Sequence, residues 1–548
     1  MTGLLNRRIG LLFALFFSLL ALAGMRAAWL GTVKASGLKE RANTQQVEDL
    51  EVPAMRGTIT DRHGLELAVA EDAVTVFANP MLIEDPIGAA GELAPLLDRP
   101  ESDVLEELSD RDRGFVYLRR KLAPNLGEKV EKLAIEGIDT VIEPRRTYPQ
   151  GALAGQLIGA VGTDRYGLSG IEQSYEDELH GSDGKRRLVK DAMGEVVSIV
   201  ETDRAEAGDD LQLTIDATLQ ERVEVIMDDV GATHMPKAAT AVVMDPRNGE
   251  VLALANWPRV DPNDPGASTA HARQNWAVGA SFEPGSTFKA FTVAGALEEG
   301  LIRPGTTLEV PAEIQVADRT IGEAHEDGGD SLTIAEILAQ SSNVGSVMVG
   351  LKLGPERFDK WVRRFGFGEL PGTGLPGEAG GIVPRPEDYS GSSLGNLPIG
   401  QGLAVTPMQM VSAYSALANG GILHRPHVIA GETDEGRRVV SKTTATQVSR
   451  MLEGVFGAGG TAQEATIDGY TLAGKTGTAE KPDPETGGYS DYKFFSSFIG
   501  FAPARDPRLL VSVMVDEPKG AYYGAEVAAP AFERILEFAL PYMRIPPD

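Results

Sequence analysis

Residues 9–25 form an uncharged apolar run, with Arg7 and Arg8 before it and Arg26 and Trp29 behind it. At about 1.5 Å per residue this run reaches about 26 Å, and a bilayer core is about 30 Å thick, so snorkelling by Arg26 and extension through 27–30 would complete a span. The pattern predicts a tail at 1–8, a single membrane anchor at 9–30 and a polar stalk at 31–50. Two basic residues ahead of the run predict the amino terminus inside and everything after it outside. Ala21-Leu22-Ala23 before Gly24 also resembles a small-residue cleavage site, and the rival reading is a removed signal peptide. Either reading exports the bulk of the chain.

Beyond the stalk, apolar stretches flank a His63-Gly64 turn at 56–68, as in a β-hairpin, and His63 there reads as structural. Residues 92–135 alternate helical patterns with charged faces. Glycines at short intervals over 159–170 predict tight turns and close backbone packing. The alternating stretch 211–215 predicts a strand leading into a helix at 217–230. Residues 241–255 carry two apolar runs around an Asn248-Gly249 turn, a strong hairpin signal. Apolar residues at helical spacing fill 287–299. Residues 496–502 and 509–515 read as strands, and 530–540 as a closing helix. Strands at both ends with helices between them imply an α/β domain over 236–548 whose sheet joins its two termini.

Composition changes this picture little. A chain of 548 residues with ordinary apolar content should form two or three domains with real cores. A net charge of −28 argues against nucleic acid as a partner and against adhesion to anionic lipid. The absence of cysteine removes disulfides, thiolate nucleophiles and thiolate metal sites together.

Candidate chemistry centres on Pro284-Gly285-Ser286-Thr287-Phe288-Lys289. Pro284 and Gly285 disfavour a helix running through them, which places Ser286 in the first turn of the helix that follows. Residues i and i+3 share a face, so the Lys289 amine falls near the Ser286 hydroxyl, at the positive helix terminus. Ser-x-x-Lys arises often by chance, and a second copy stands at Ser36-Gly37-Leu38-Lys39. Only the copy at Ser286 is followed in order by Ser341-Ser342-Asn343 and by Lys475-Thr476-Gly477-Thr478, the series found in penicillin-recognising acyl-serine enzymes. In such chemistry Lys289 fits the general base, Ser341 a proton relay, and Asn343 a holder of the substrate amide or of Lys289. Burial and the charge of Lys475 would lower the Lys289 pKa. Backbone N–H groups of Ser286 and Thr478 would face the oxyanion, and Lys475, Thr476, Gly477 and Thr478 the substrate carboxylate and backbone.

Two other patterns have rival functional readings. The glycines of 159–170 lack the Gly-Lys-Ser/Thr of a nucleotide loop. Glu323, His325, Glu326 and Asp327 gather carboxylates around one histidine, without a recognisable ligand spacing, and read as a solvated loop; no metal and no cofactor is expected.

The anchor, the Arg56-Gly57-Thr58-Ile59-Thr60-Asp61-Arg62 segment, Arg146-Thr147-Tyr148-Pro149, Gly170-Ile171-Glu172 and the Ser286 series together resemble a class B penicillin-binding protein over nearly the whole length. Ile399-Gly400-Gln401-Gly402, Thr406-Pro407-Met408-Gln409 and the Tyr522–Pro530 stretch match further family segments. The resemblance implies a pedestal (dimerisation-like) domain at 51–235 and a transpeptidase domain at 236–548, with a central antiparallel sheet flanked by helices. It also implies a monofunctional peptidoglycan D,D-transpeptidase that cross-links stem peptides, releases D-Ala and is inhibited covalently by β-lactams. The partners it implies are a polytopic glycan polymerase of the shape, elongation, division and sporulation (SEDS) type and other division proteins. Glu283 before Pro284 and Asp261-Pro262-Asn263 resemble the division enzymes more than the elongation ones. The alternatives are a carboxypeptidase or β-lactamase-type hydrolase, and a non-enzymatic β-lactam sensor or division scaffold on the same fold.

Overall fold

The structure, a computed structural model, describes residues 2–33, 47–190, 196–323, 330–483 and 488–548. It divides into two compact units, one of Met1–Met55, Asp72–Pro144 and Gly181–Gly208, the other of Arg56–Glu71, Arg145–His180 and Asp209–Asp548. Where the sequence suggests one boundary at 235/236, compactness thus interleaves the amino-terminal half. The apolar amino-terminal segment is one helix, Thr2–Thr32, of which Arg7–Thr32 is long and apolar enough to cross a membrane.

The smaller unit has its own core. Helices Pro86–Leu97, Glu101–Ser109 and Pro124–Lys132 bury Leu93, Leu97, Val104, Leu108 and Val130 together with Leu118 of strand Val116–Leu122. That strand pairs with the far end of strand Glu66–Ala78, Val116 opposite Ala78 and Tyr117 opposite Phe77. It interrupts the helical patterns that the sequence suggested over 92–135. Its arginines stay at the surface while Leu118 and Leu122 are buried, a four-residue spacing that a helix would also give, so pairing with Glu66–Ala78 decides the conformation. A separate antiparallel sheet sets Gly184–Lys190 between Val47–Val52 and Val196–Asp203.

The larger unit is built on a five-stranded antiparallel sheet: β1 (Ala238–Met244), β2 (Val251–Trp257), β3 (Ala473–Asp483), β4 (Gly488–Ala502) and β5 (Leu509–Asp516), in the order β2-β1-β5-β4-β3. The sheet joins the two ends of the domain, as the sequence suggested. Its middle strands are covered on both faces, which is why their apolar runs are nearly continuous. Ala241, Val243, Val511 and Val513 pack with helices α1 (Ala217–His234) and α5 (Ala529–Tyr542). The alternate positions Val242, Met244, Leu510 and Met514 face the other way, into the core shared with α2 (Lys289–Glu298), α3 (Asn343–Leu353) and α4 (Pro407–Ala418). Helix α1 starts at Asp216, whose Oδ1 accepts from Leu219 N at 3.0 Å; His63 Nε2 lies 3.1 Å from the Oδ2 of the same carboxylate, a structural contact. Only Leu211–Gln212 of the stretch 211–215 is ladder strand.

Three segments distant in sequence close one buried ion cluster within this unit. Glu172, fully buried, accepts from Arg56 Nε and Arg146 Nε, both at 2.6 Å, and Arg56 also pairs with Glu176 at 2.8 Å. Arg56 Nη2 donates to the Glu172 carbonyl, and Tyr148 OH to Glu172 Oε1 at 3.3 Å. Asn263 then clasps the backbone of Tyr148 through both side-chain atoms. Gly159 fits nothing larger: a Cβ there would lie 1.8 Å from the Ser169 carbonyl oxygen.

Candidate active site

Gly285 has a positive φ of 54° and breaks the chain's direction after Pro284. Gly285–Phe288 then forms one 3-10 turn that runs into α2. Lys289 N–H donates to the Ser286 carbonyl, and in a 3-10 turn side chains three apart eclipse, so Ser286 and Lys289 project on one side. Behind the turn, Tyr414 OH donates to the Thr287 carbonyl at 2.7 Å, and Phe288 and Phe291 pack among Phe358, Phe365 and Phe367. The segment that bears the nucleophile candidate is therefore anchored by aromatic packing.

Beside it runs β3, the edge strand of the sheet, paired among the described residues only to β4. Their approach is close: a Cβ on Gly477 would lie 2.9 Å from Thr287 Cγ2 and 3.0 Å from the Pro284 carbonyl oxygen. On the other side Gly285 N donates to the Gly400 carbonyl at 3.1 Å, and Phe282 and Val405 exchange two backbone bonds. Thr406 and Gln409 of the same stretch form a capping box at the start of α4.

These elements wall a cleft of about 920 Å³ lined by Ser286, Ser341, Asn343, Thr476 and Thr478, together with Arg319, Glu480, Tyr489, Tyr523 and Glu526. Lys289 lies behind the wall, fully buried, and its Nζ donates to the Ser341 carbonyl (2.6 Å), Asn343 Oδ1 (2.7 Å) and Ser341 Oγ (3.2 Å). Three of the four sequence-nominated catalytic side chains are thus in direct contact, and Ser286 opens onto the same cleft. Thr476 Oγ1 is 2.8 Å from Thr461 Oγ1, and Thr478 Oγ1 accepts from Gly524 N at 2.9 Å. Lys475 is also fully buried, its Nζ 3.3 Å from the carbonyl and the hydroxyl of Thr476. Ser36 and Lys39, of the second Ser-x-x-Lys, lie outside the described residues.

Burial pushes the Lys289 amine down to about 7, against an opposing pull from the Glu323 carboxylate. Lys475 is driven well below the usual lysine range, first by burial and then by the charge of Lys289. The sequence suggested burial together with the Lys475 charge; burial is the cause that lowers the Lys289 pKa, and the charge acting on this amine is that of Glu323, which opposes it.

Two carboxylates escaped sequence reasoning. Glu283 is buried, accepts from Gly402 N (3.0 Å) and Tyr489 OH (3.2 Å), and burial raises its pKa. Glu323, considered only within a possible metal cluster, instead accepts from the start of α3; His325, Glu326 and Asp327 lie outside the described residues. Local spacing could not have found it, since its partners are some twenty residues away.

A serine on a helix-start turn, a buried amine on the same side of that turn and a sheet edge alongside are the parts that serine acyl transfer requires. The model of the penicillin-binding protein transpeptidase domain matches residues 239–537, and that of the penicillin-binding protein dimerisation domain matches 51–213. The peptidoglycan D,D-transpeptidase FtsI of Escherichia coli K12 is 33% identical over 97% of this chain and 91% of its own length. The probable peptidoglycan D,D-transpeptidase PenA of Neisseria gonorrhoeae is 33% identical over 99% and 94%. Among solved structures, penicillin-binding protein 3 of Mycobacterium tuberculosis in complex with aztreonam superposes with a TM-score of 0.72 at 31% identity, covering 91% of this chain and 98% of that one. The chain belongs to the class B penicillin-binding proteins, a family of peptidoglycan D,D-transpeptidases that work through an acyl-serine.

Proposed function

We propose that Ser286 attacks the carbonyl between the two terminal D-Ala residues of a peptidoglycan stem peptide and that Lys289 takes its proton. The observation that carries this reading is the fully buried Lys289 amine, held by Ser341 and Asn343 behind the cleft onto which Ser286 opens. A buried amine with a pKa near neutrality is free to accept a proton at working pH. The tetrahedral oxyanion is met by the N–H groups of Ser286 and Thr478. Collapse breaks the peptide bond; the proton travels through Ser341 to the departing nitrogen, and D-Ala leaves. An amine from a neighbouring stem then attacks the acyl-serine, forms the cross-link and returns the proton to Ser286. Thr476 and Thr478 present hydroxyls to the substrate carboxylate, and Asn343 its amide to the donor stem. β-Lactams enter by the same route and stay bound as the acyl-serine.

The similarity to FtsI supports a role in septal wall synthesis. In this reading the apolar helix anchors the chain with its amino terminus in the cytoplasm and the catalytic unit outside, where a SEDS-type glycan polymerase and other division proteins are its partners. Exposure to a labelled penicillin, followed by mass spectrometry of the modified peptide, tests the chemistry. The adduct is expected on Ser286 and absent from a folded Ser286→Ala variant. Label on Ser341, or undiminished labelling of the alanine variant, overturns the assignment.

A further inference from the structure

Ser341 carries a φ of 63°, in the left-handed region, which is strained for a residue with a side chain. The three residues that follow it show what holds it there. The Glu323 carboxylate, following strand Arg319–Gly322, accepts from Ser342 Oγ (2.5 Å), Asn343 N (2.8 Å) and Val344 N (3.2 Å). The two N–H groups are orphan donors of the first turn of α3, which an anion stabilises. Gly322 adds its carbonyl to Asn343 Nδ2 at 3.2 Å. One dipeptide, Gly322-Glu323, therefore grips Asn343 by backbone and side chain, while Asn343 Oδ1 accepts from Lys289 Nζ.

The charge acting on Lys289 is that of Glu323, from the hairpin that ends at Gly322; Lys289 in turn acts on Lys475 of β3. The direct hydrogen-bond partners of Lys289, Ser341 and Asn343, are neutral. We propose that Glu323 is a positioning residue of acyl transfer, whose carboxylate both fixes the Ser341-Ser342-Asn343 turn and serves as the counter-charge of Lys289. It thereby sets the pH at which Lys289 becomes free to act as base. This rests on the acyl-serine reading above. Without the carboxylate, burial acts on Lys289 unopposed and the amine gives up its proton at lower pH.

The test is the pH profile of acylation by a fluorescent penicillin, measured on the full chain in detergent with thermal unfolding recorded alongside. For the parent, the rate rises with pH as Lys289 deprotonates. In Glu323→Gln the midpoint of that rise is expected about one pH unit lower, the size of shift a nearby opposite charge exerts. The plateau falls about tenfold as the turn loosens. Glu323→Asp keeps the charge, and its midpoint stays within a few tenths of a unit of the parent. Glu323→Ser, a second neutral replacement with a hydroxyl for the helix start, gives the reading should Glu323→Gln fail to accumulate. A neutral variant whose midpoint coincides with the parent's overturns the proposal, whatever its plateau, because a purely structural cap would leave the midpoint alone. If the parent itself carries no adduct on Ser286, it is the acyl-serine reading that fails, and the inference falls with it.

Discussion

Lys289 shows the cost of putting a base inside a protein. Its ordinary pKa of 10.5 drops to about 7 because the charged form loses its hydration on burial. The folded-state pKa lies below the unfolded one, so the unfolded chain binds the proton more tightly. The resulting destabilisation is full below pH 7, fades between pH 7 and 10.5, and is gone above. Lys289→Met, with a side chain of similar length and no charge, is expected to raise Tm by a few degrees at pH 7, by a smaller margin at pH 9, while abolishing acylation. Calorimetry of parent and variant at the two pH values checks this, and an equal margin at both would exclude the charge as its source. Lys289→Arg keeps a charge that cannot be lost, and its acylation rate should fall by about two orders of magnitude or more. A rate near that of the parent would mean that another group takes the proton.

At the scale of elements, the site depends on how closely β3 lies on the turn Gly285–Phe288. Gly477→Ala would drive a methyl to 2.4 Å from Ser497 Oγ and into Thr287 and the Pro284 carbonyl. Overpacking of this kind costs about 1–3 kcal/mol, and displacement at a catalytic centre far more in rate. Acylation by penicillin should fall between about tenfold and a hundredfold with only a modest loss of Tm; unchanged kinetics would mean that the strand can shift without moving Ser286. Much of this element plan was legible. Pro284 and Gly285 mark where a helix cannot run, the Asn248-Gly249 turn sits between β1 and β2, and the buried middle strands announce themselves by unbroken apolar runs. What escaped has physical reasons. Val116–Leu122 carries three consecutive basic residues that mimic a charged helix face, and its strand conformation comes from pairing with a segment about forty residues earlier. The left-handed Ser341 has no glycine to signal it, because its strain is supported by Glu323, which no local pattern ties to it. The direct contact of Lys289 with Ser341 and Asn343 was foreseeable as chemistry, but only the fold could set it.

For the whole molecule, the motifs Arg56–Arg62, Arg146–Pro149 and Gly170–Glu172 precede the candidate catalytic residues by a hundred positions or more, yet they close their ion cluster inside the unit that holds those residues. The sequence grouped them correctly as one family signature and could not show that they meet around Glu172. The anchor stands apart from this chemistry. Gly10, Ala14, Ser18, Ala21 and Gly24 recur at three- or four-residue intervals along helix Thr2–Thr32, the kind of face on which membrane helices pack. Exchange of residues 9–25 for an unrelated apolar segment of equal length should reduce co-purification with a SEDS-type polymerase, and glycan synthesis by it, severalfold. Binding and synthesis at the parental level would make the helix a tether only. The strand order β2-β1-β5-β4-β3 also has a bearing on synthesis. A ribosome completes Ser286, Lys289, Ser341, Asn343 and the whole of β3 before it reaches Leu509–Asp516, and that late strand is the one that lies between β1 and β4. Until it arrives, β3 and β4 can pair with each other but have no connection to β1 and β2. A nascent chain can therefore hold every side chain proposed for acyl transfer and still lack the completed sheet, so that reactivity toward stem peptide or antibiotic is expected only when translation of the domain is all but finished.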